Sequence, residues 1–276
     1  MSIWEWMHSH SNLVALSWLG FLMLCEQLAG LFPIRPVTPG KWNRYLGNLA
    51  FGVINKVAVV GLMMPLLVWC LSLNLWSRPA WMGGWAGVVI DILVLDLVGY
   101  WFHRISHVVP WLWRFHQIHH LDEQMDATTG LRVHSAERVL NNLLKFAAIA
   151  LLNVSLINYS IYETVAMLLA LFHHSNLKLP GLVQRTLGLV VTTPQFHWVH
   201  HHDAQPDTDS NYGFILVWWD ALFGSYNKAV RTPEWRIGLD YSVDLPFWEQ
   251  VITPFRRVKL KDRAIRPSEH KAEAQA

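Results

Sequence analysis

Fifteen histidines occur in the 276 residues, and twelve of them fall between positions 103 and 202. They come in spaced groups: His103 and His107, then His116, His119 and His120, then His197, His200 and His201. On a helix, residues four apart share a face, so His103 and His107 form one pair of ligands pointing the same way. At about 100° per residue, His116, His119 and His120 spread over an arc of about 100°, with His119 and His120 on either side of His116. Such a fan can serve two adjacent metal ions. His197, His200 and His201 repeat the geometry, whereas His202 would stand roughly 140° from His197 on an ideal helix and is set aside as a ligand.

Two further positions are candidates: His134, within Leu131-Arg132-Val133-His134-Ser135-Ala136-Glu137, and His174 of the doublet His173-His174, which precedes Ser175 and Asn176. His173 is the weaker member of the doublet. Neutral imidazoles suit iron, zinc, copper or nickel, so ligand type alone does not name the metal. A structural zinc site needs only four ligands. The two fans exceed that, which argues for two metals with open positions. Glu137, Asp207, Asp209 and Asp220 lie near the histidine segments and are candidates to orient imidazole N–H groups; Asp207 and Asp209 equally suit turns in the loop that holds them.

The elements that position these histidines are apolar. Apolar residues make up 53% of the chain and charged residues only 15%, against the quarter usual for soluble domains, so lipid is the expected surroundings. The stretches Leu13 to Phe32 and Leu49 to Leu75, the second broken at Pro65, are each long enough to cross about 30 Å of hydrocarbon. A third, Trp85 to Phe102, carries Asp91 and Asp96, whose cost in lipid predicts that they face protein or water, and its end delivers His103. Between Val139 and Phe172, interruptions near Asn153, Asn158 and Tyr159 suit a helical hairpin. It would return the chain to the side on which both histidine segments must meet. Sixteen tryptophans, many near the ends of apolar stretches, fit the headgroup layer. The expected fold class is an all-α membrane bundle with a cytosolic helical cap carrying the histidines, in a single domain over residues 1–276.

Orientation follows from the basic residues. Arg35, Lys41 and Arg44 lie between the first two spans, whereas the next loop offers only Arg78, which puts the N-terminus outside and the histidines on the cytoplasmic face. A basic run, Arg256, Arg257, Lys259, Lys261, Arg263 and Arg266, would lie on that side, against anionic lipid or as a solvated tail. No basic region or small-residue cleavage pattern marks the first stretch as a signal peptide, so a retained helix is expected. Cys25 and Cys70 sit inside apolar runs and offer neither a disulfide framework nor a thiolate site. A net charge of +2 does not suggest nucleic acid.

Three segments resemble the fatty acid hydroxylase superfamily, which includes sterol C4-methyl oxidases and sterol C5-desaturases. They are Asp96 through His107, Leu112 through His120, and Pro194 through His201, the last followed by Asn211-Tyr212-Gly213 and Trp219 through Tyr226. Arg132-Val133-His134 and Phe172 through Asn176 are similar to family segments too, and the resemblance covers about residues 90–228. Ser135 departs from the proline often found there. The three-residue spacer between His103 and His107 favours the sterol-oxidising branch.

The resemblance implies two irons held by His103, His107, His116, His119, His120, His174, His197, His200 and His201, with His134 a further candidate. It also implies dioxygen as co-substrate and oxidation of a lipid taken sideways from the bilayer, to an alcohol or an alkene. Neither a dinucleotide fingerprint nor a haem-binding His-Pro-Gly-Gly segment is present, so electrons are expected from an external reductase, ferredoxin or cytochrome. Two other readings compete. A non-catalytic metal-binding membrane protein predicts polar ligands deep within several spans, and a zinc-dependent lipid hydrolase needs few ligands and a general base, yet no HExxH occurs.

Overall fold

The computed structural model describes residues 3–36, 42–73, 75–242 and 244–256, with side chains described from residue 13 onward. Lys41 and the basic run beyond Arg256 lie outside the described residues. Among those residues the chain is helix and loop, with strand-type pairing limited to isolated bridges such as Pro33 with Leu177. The helices are α1 (Ile3–Leu31), α2 (Trp42–Ala58), α3 (Met64–Ser72), α4 (Gly84–Val108), α5 (Pro110–His120), α6 (Ser135–Leu152) and α7 (Leu156–His174). Shorter ones follow: α8 (Gly181–Leu187), α9 (Pro194–His200), α10 (Gln205–Thr208), α11 (Trp218–Phe223) and α12 (Phe247–Ile252).

Four helical stretches are long and apolar enough to cross a membrane: Leu13–Leu31, Trp42–Ser72, Gly84–Val108 and Leu156–His174. Side chains such as Leu16, Val53, Leu62, Val89 and Leu151 stay exposed on the bundle's outside, as helices facing hydrocarbon require. The protein is integral to the membrane. The second stretch begins at Trp42 rather than at the expected Leu49, and a π-helical turn, Val59–Met63, joins α2 to α3. Pro65 explains the turn. It has no N–H for the helical ladder and its ring crowds the carbonyl one turn back, so the backbone widens just before it.

At 1.5 Å per residue the 31-residue stretch is about 46 Å long, well beyond a hydrocarbon core of about 30 Å. Its early turns are polar and packed against protein. Asn48 Nδ2 donates to Asp122 Oδ2 (3.3 Å) and Thr128 Oγ1 (3.0 Å), and Asn55 Nδ2 donates to the Val133 carbonyl (2.8 Å). Arg44 donates to Asp122 at 2.6 Å and pairs with Asp126. Burial alone would raise the Asp122 carboxyl, but Arg44 and Arg132 hold it well below the usual carboxylate range.

Where a helical hairpin is expected, α6 and α7 follow one another, and the turn between them is closed by Asn153 in the left-handed region (φ 52°), which asparagine tolerates, and by Ser155, whose hydroxyl accepts from the Asn158 N–H. Helix α7 is central, packing against α1, α4, α9 and the short 3-10 turn Ala127–Leu131. Gly130 allows the last contact, because a Cβ there would stand 2.9 Å from the Ala170 carbonyl. The largest core cluster gathers Leu95 of α4, Phe146 and Ile149 of α6, and Tyr162 and Ala166 of α7. Both aspartates of α4 face protein. Asp91 takes a two-pronged ion pair from Arg78 at 2.9 Å, and Asp96 accepts the backbone N–H groups of Ile215 and Leu216 and the Trp219 indole. Asp96 thereby ties the loop after α10 to the span that carries His103 and His107.

Candidate metal centre

Helix α4 ends with His103 and His107 one turn apart, Pro110 at the start of α5 turns the chain sharply, and α5 returns with His116, His119 and His120. Thr193 caps α9 and Pro194 opens it, which sets His197 and His200 in its first two turns, with His201 at its end. His174 closes α7. Nine of the ten expected ligands converge in two adjoining groups, all buried: His103, His107, His116, His120 and His200 in the first, and His119, His174, His197 and His201 in the second. The donor nitrogens within each group lie within 4.8 Å of one another. The α5 fan divides, His116 and His120 to one side and His119 to the other, and α9 divides in the same way.

Hydrogen bonds on the outer ring nitrogens fix how the imidazoles face. The Nδ1–H groups of His103, His119, His174 and His200 donate to the carbonyls of Tyr212 (2.8 Å), Arg132 (3.2 Å), Ala170 (2.6 Å) and Ser210 (2.8 Å). His116 Nδ1 donates to Glu137 Oε1 (2.8 Å) and His107 Nδ1 to Asp209 Oδ1 (3.2 Å). Carbonyl and carboxylate oxygens only accept, so Nδ1 carries the proton in each ring and Nε2 is left with a lone pair aimed inward.

This arrangement tests the fit of a metal. In the first group His103 Nε2 and His116 Nε2 stand 3.1 Å apart, and in the second His119 Nε2 and His174 Nε2 stand 3.0 Å apart. Neither ring of either pair has an Nε2 proton to share, so each contact sets lone pair against lone pair. A cation between them removes the repulsion. Separations of 3.0–3.2 Å, which His120–His116 and His201–His197 share, suit two imidazole donors on one transition-metal ion. Burial pushes His119, His120, His197, His200 and His201 well below the ordinary imidazole value, and neighbouring imidazoles add to the effect, which keeps them neutral as ligands must be.

Of the twelve histidines between positions 103 and 202, three are not brought into either group. His134 is the one expected ligand that stands outside both groups. Its Nδ1 caps α6 by accepting the Ala136 N–H, and its Nε2 donates to the Val251 carbonyl, so both nitrogens are engaged away from the centre. His202 stacks on Trp235 and is held by Asp207 Oδ2 at 2.7 Å. His173 is fully buried beside His197, with ring centroids 4.2 Å apart, but is not a member of either group.

Of the four candidate carboxylates, Glu137 and Asp209 reach imidazoles of the centre. Asp207 instead serves His202, and Asp220 accepts the N–H groups of Tyr212 and Gly213 and the Ser225 hydroxyl. Asp220 therefore acts one step removed, shaping the turn whose Tyr212 carbonyl holds His103. Burial pushes it up to about 6. A Cβ on Gly213 would meet Asp220 Oδ2 at 2.8 Å, so only glycine fits that turn. The carbonyls of Arg132, Ala170, Ser210 and Tyr212 were not among the residues expected to orient ligands. Backbone acceptors carry no side-chain signal.

Comparison with known proteins agrees with this geometry. The sequence model of one protein family, fatty acid hydroxylase, matches residues 88–225, the segment from the start of α4 past α11. The chain is 26% identical to the ornithine lipid hydroxylase OlsE of Rhizobium tropici over 263 residues, 91% of this chain and 77% of that protein. It is 27% identical to human alkylglycerol monooxygenase over 217 residues, 74% of this chain but 45% of the longer relative. A cholesterol 25-hydroxylase-like protein of Danio rerio is 29% identical over 72% of this chain and 79% of its own length. No solved structure matches.

Proposed function

Because the chain belongs to the fatty acid hydroxylase family, we propose that it is a membrane-embedded, dioxygen-dependent di-iron enzyme that hydroxylates a lipid C–H bond. The observation that carries this reading is the opposition of imidazole lone pairs in each of two adjoining buried groups. His103, His107, His116, His120 and His200 would hold one iron, and His119, His174, His197 and His201 the other, with His134 outside the set. The irons, when bound, supply dioxygen reduction and oxidation of an unactivated C–H bond.

The chain's own residues do the rest. Glu137 and Asp209 hold the protons on His116 and His107 Nδ1, so each Nε2 keeps its lone pair. Trp113 and Tyr212 set aromatic rings against His107 and restrict water. Hydroxylation, rather than desaturation, is favoured by the names of the relatives, which are hydroxylases and monooxygenases of lipids. The substrate is drawn sideways from the bilayer. Electrons come from a separate reductase, ferredoxin or cytochrome on the face that carries the histidines. That face is the cytoplasmic one, on the distribution of Arg35, Lys41 and Arg44. A transporter or metal store places its ligands within several spans, whereas here they gather at one end of α4 and α7 and on the helices beyond.

The test is isotopic. Purified protein loaded with iron, given a reductant and a lipid mixture under 18O2, is expected to yield a lipid that has gained one 18O atom. A product labelled only from H218O would show hydrolysis or hydration instead and overturn the reading.

A further inference from the structure

A cavity between α4, α6 and α7 adjoins the metal centre and is charged where a bilayer-spanning bundle is ordinarily apolar. Glu137, Arg138, Asn141 and Lys145 line it from successive turns of α6, and Tyr162 and Glu163 from α7. Lys145 lies eight residues beyond Glu137, about 12 Å along the helix, so the polar lining runs away from the centre toward the interior of the bundle. Lys145 is 3% exposed and pairs with Glu163 at 2.6 Å, with its ammonium 4.8 Å from the Tyr162 ring. Ionisable groups held at such depth are costly and mark pathways or binding sites rather than packing.

The polar groups of the lining are not all used by the protein. Glu137 is 8% exposed; its Oε1 holds His116, while its Oε2 is buried with no hydrogen-bond partner. The Asn141 Oδ1 is likewise buried without one. Arg138 makes no salt bridge within 4.0 Å among the described residues, although it shares the cavity with two carboxylates. Unmet acceptors beside a guanidinium that acts on Glu163 only at a distance, with no direct ion pair, describe a site for a ligand with both donors and an anionic group. At the end nearest the centre, beside Glu137, the cavity reaches Ala170, whose carbonyl fixes His174, and Phe214, whose ring stands 5.7 Å from that of His173. One side of the cavity is therefore the outer edge of both metal groups.

Resting on the lipid hydroxylase reading, we infer that this cavity receives the polar head of the substrate. The lipid is one whose head carries an anionic oxygen group, carboxylate or phosphate, together with an amine or hydroxyl donor. Arg138 binds the anionic group. The Asn141 and Glu137 oxygens accept from the donor. The C–H bond presented to the centre then lies in or near the head rather than far along a hydrocarbon tail, and a sterol leaves the charged lining unmatched.

The experiment compares three lipids with identical tails, bearing an amino-acid head, a phosphoethanolamine head or only the diacylglycerol hydroxyl. Binding is read by native mass spectrometry and turnover by 18O incorporation. At least tenfold preference for a headed lipid over diacylglycerol is expected, and which headed lipid wins identifies carboxylate or phosphate as the anion. Arg138→Gln is expected to reduce that preference at least tenfold through KM with metal content unchanged, Arg138→Lys to restore most of it, and Asn141→Leu to weaken it independently. Oxidation of all three lipids without head preference, or a preference untouched by Arg138→Gln, overturns this inference while leaving the hydroxylase reading intact. Head-selective binding without oxidation of any lipid keeps the pocket and removes the hydroxylase. Absence of selective binding removes the pocket whatever the turnover.

Discussion

Removing the Glu137 carboxylate tests whether the outer hydrogen bonds of the imidazoles sustain the metal centre. His116 Nδ1 donates to Glu137 Oε1 at 2.8 Å, and the two side chains are only 5% and 10% exposed. A buried hydrogen bond to a charged acceptor contributes about 1.5–3 kcal/mol. At about 1.4 kcal/mol per decade, Glu137→Ala is expected to weaken retention of the ion in the first group by roughly 10- to 150-fold. The equivalent bond from His107 to Asp209 is longer, at 3.2 Å, and Asp209 is 32% exposed, so solvent screens it. Asp209→Ala is expected to cost well under 1 kcal/mol, less than about fivefold in retention. The assay is metal content by mass spectrometry after dialysis against graded chelator, with the second ion as internal reference. Equal losses from both ions in Glu137→Ala, or a larger effect for Asp209→Ala, would refute the assignment of His116 and Glu137 to one group.

Further outcomes follow from the same geometry. His119→Ala or His174→Ala is expected to lower metal content toward one ion per chain, and His103→Ala or His200→Ala to do the same from the other group, with membrane insertion retained; loss of both ions together in every variant would argue against two separable sets. His134→Ala is expected to keep both ions and to lower stability by about 1 kcal/mol through the lost cap, as read by thermal denaturation. For metal-free protein, burial holds His119, His120, His197, His200 and His201 below the ordinary 6.5, so the stability they confer is present above pH 6.5 and declines as pH falls below it. Melting followed by tryptophan fluorescence from pH 8 to pH 5 checks that sign, and a rise in stability on acidification would contradict it. Arg78→Met strands Asp91, which is 1% exposed, and is expected to destabilise the bundle by about 3–5 kcal/mol, with substantial recovery in Arg78→Met with Asp91→Asn.

The helical periodicity of the histidines made much of the centre legible in advance. Three- and four-residue spacings put His116, His119 and His120 on a divergent face, and the structure sends them to different groups. His134 was not separable from a ligand on that ground, because its role depends on Ala136 and on Val251, a residue far along the chain. The polar early turns of α2 were hidden as well. Arg44 and Asn48 lie ahead of the expected start at Leu49, yet the segment from Asp122 to Thr128 folds over them and satisfies their hydrogen bonds. The roles of Asp207 and Asp220 turned on loop closure, which hydropathy does not encode, and the lone-pair opposition between His119 and His174 required coordinates.

If each of the two buried imidazole sets holds one iron, as proposed, elemental analysis of the detergent-purified full chain, produced with iron supplied, counts them. Two iron ions per chain are predicted, falling toward one in His174→Ala. A wild-type protein that holds no metal even after anaerobic reconstitution with ferrous iron, or that never exceeds one ion per chain, would contradict it.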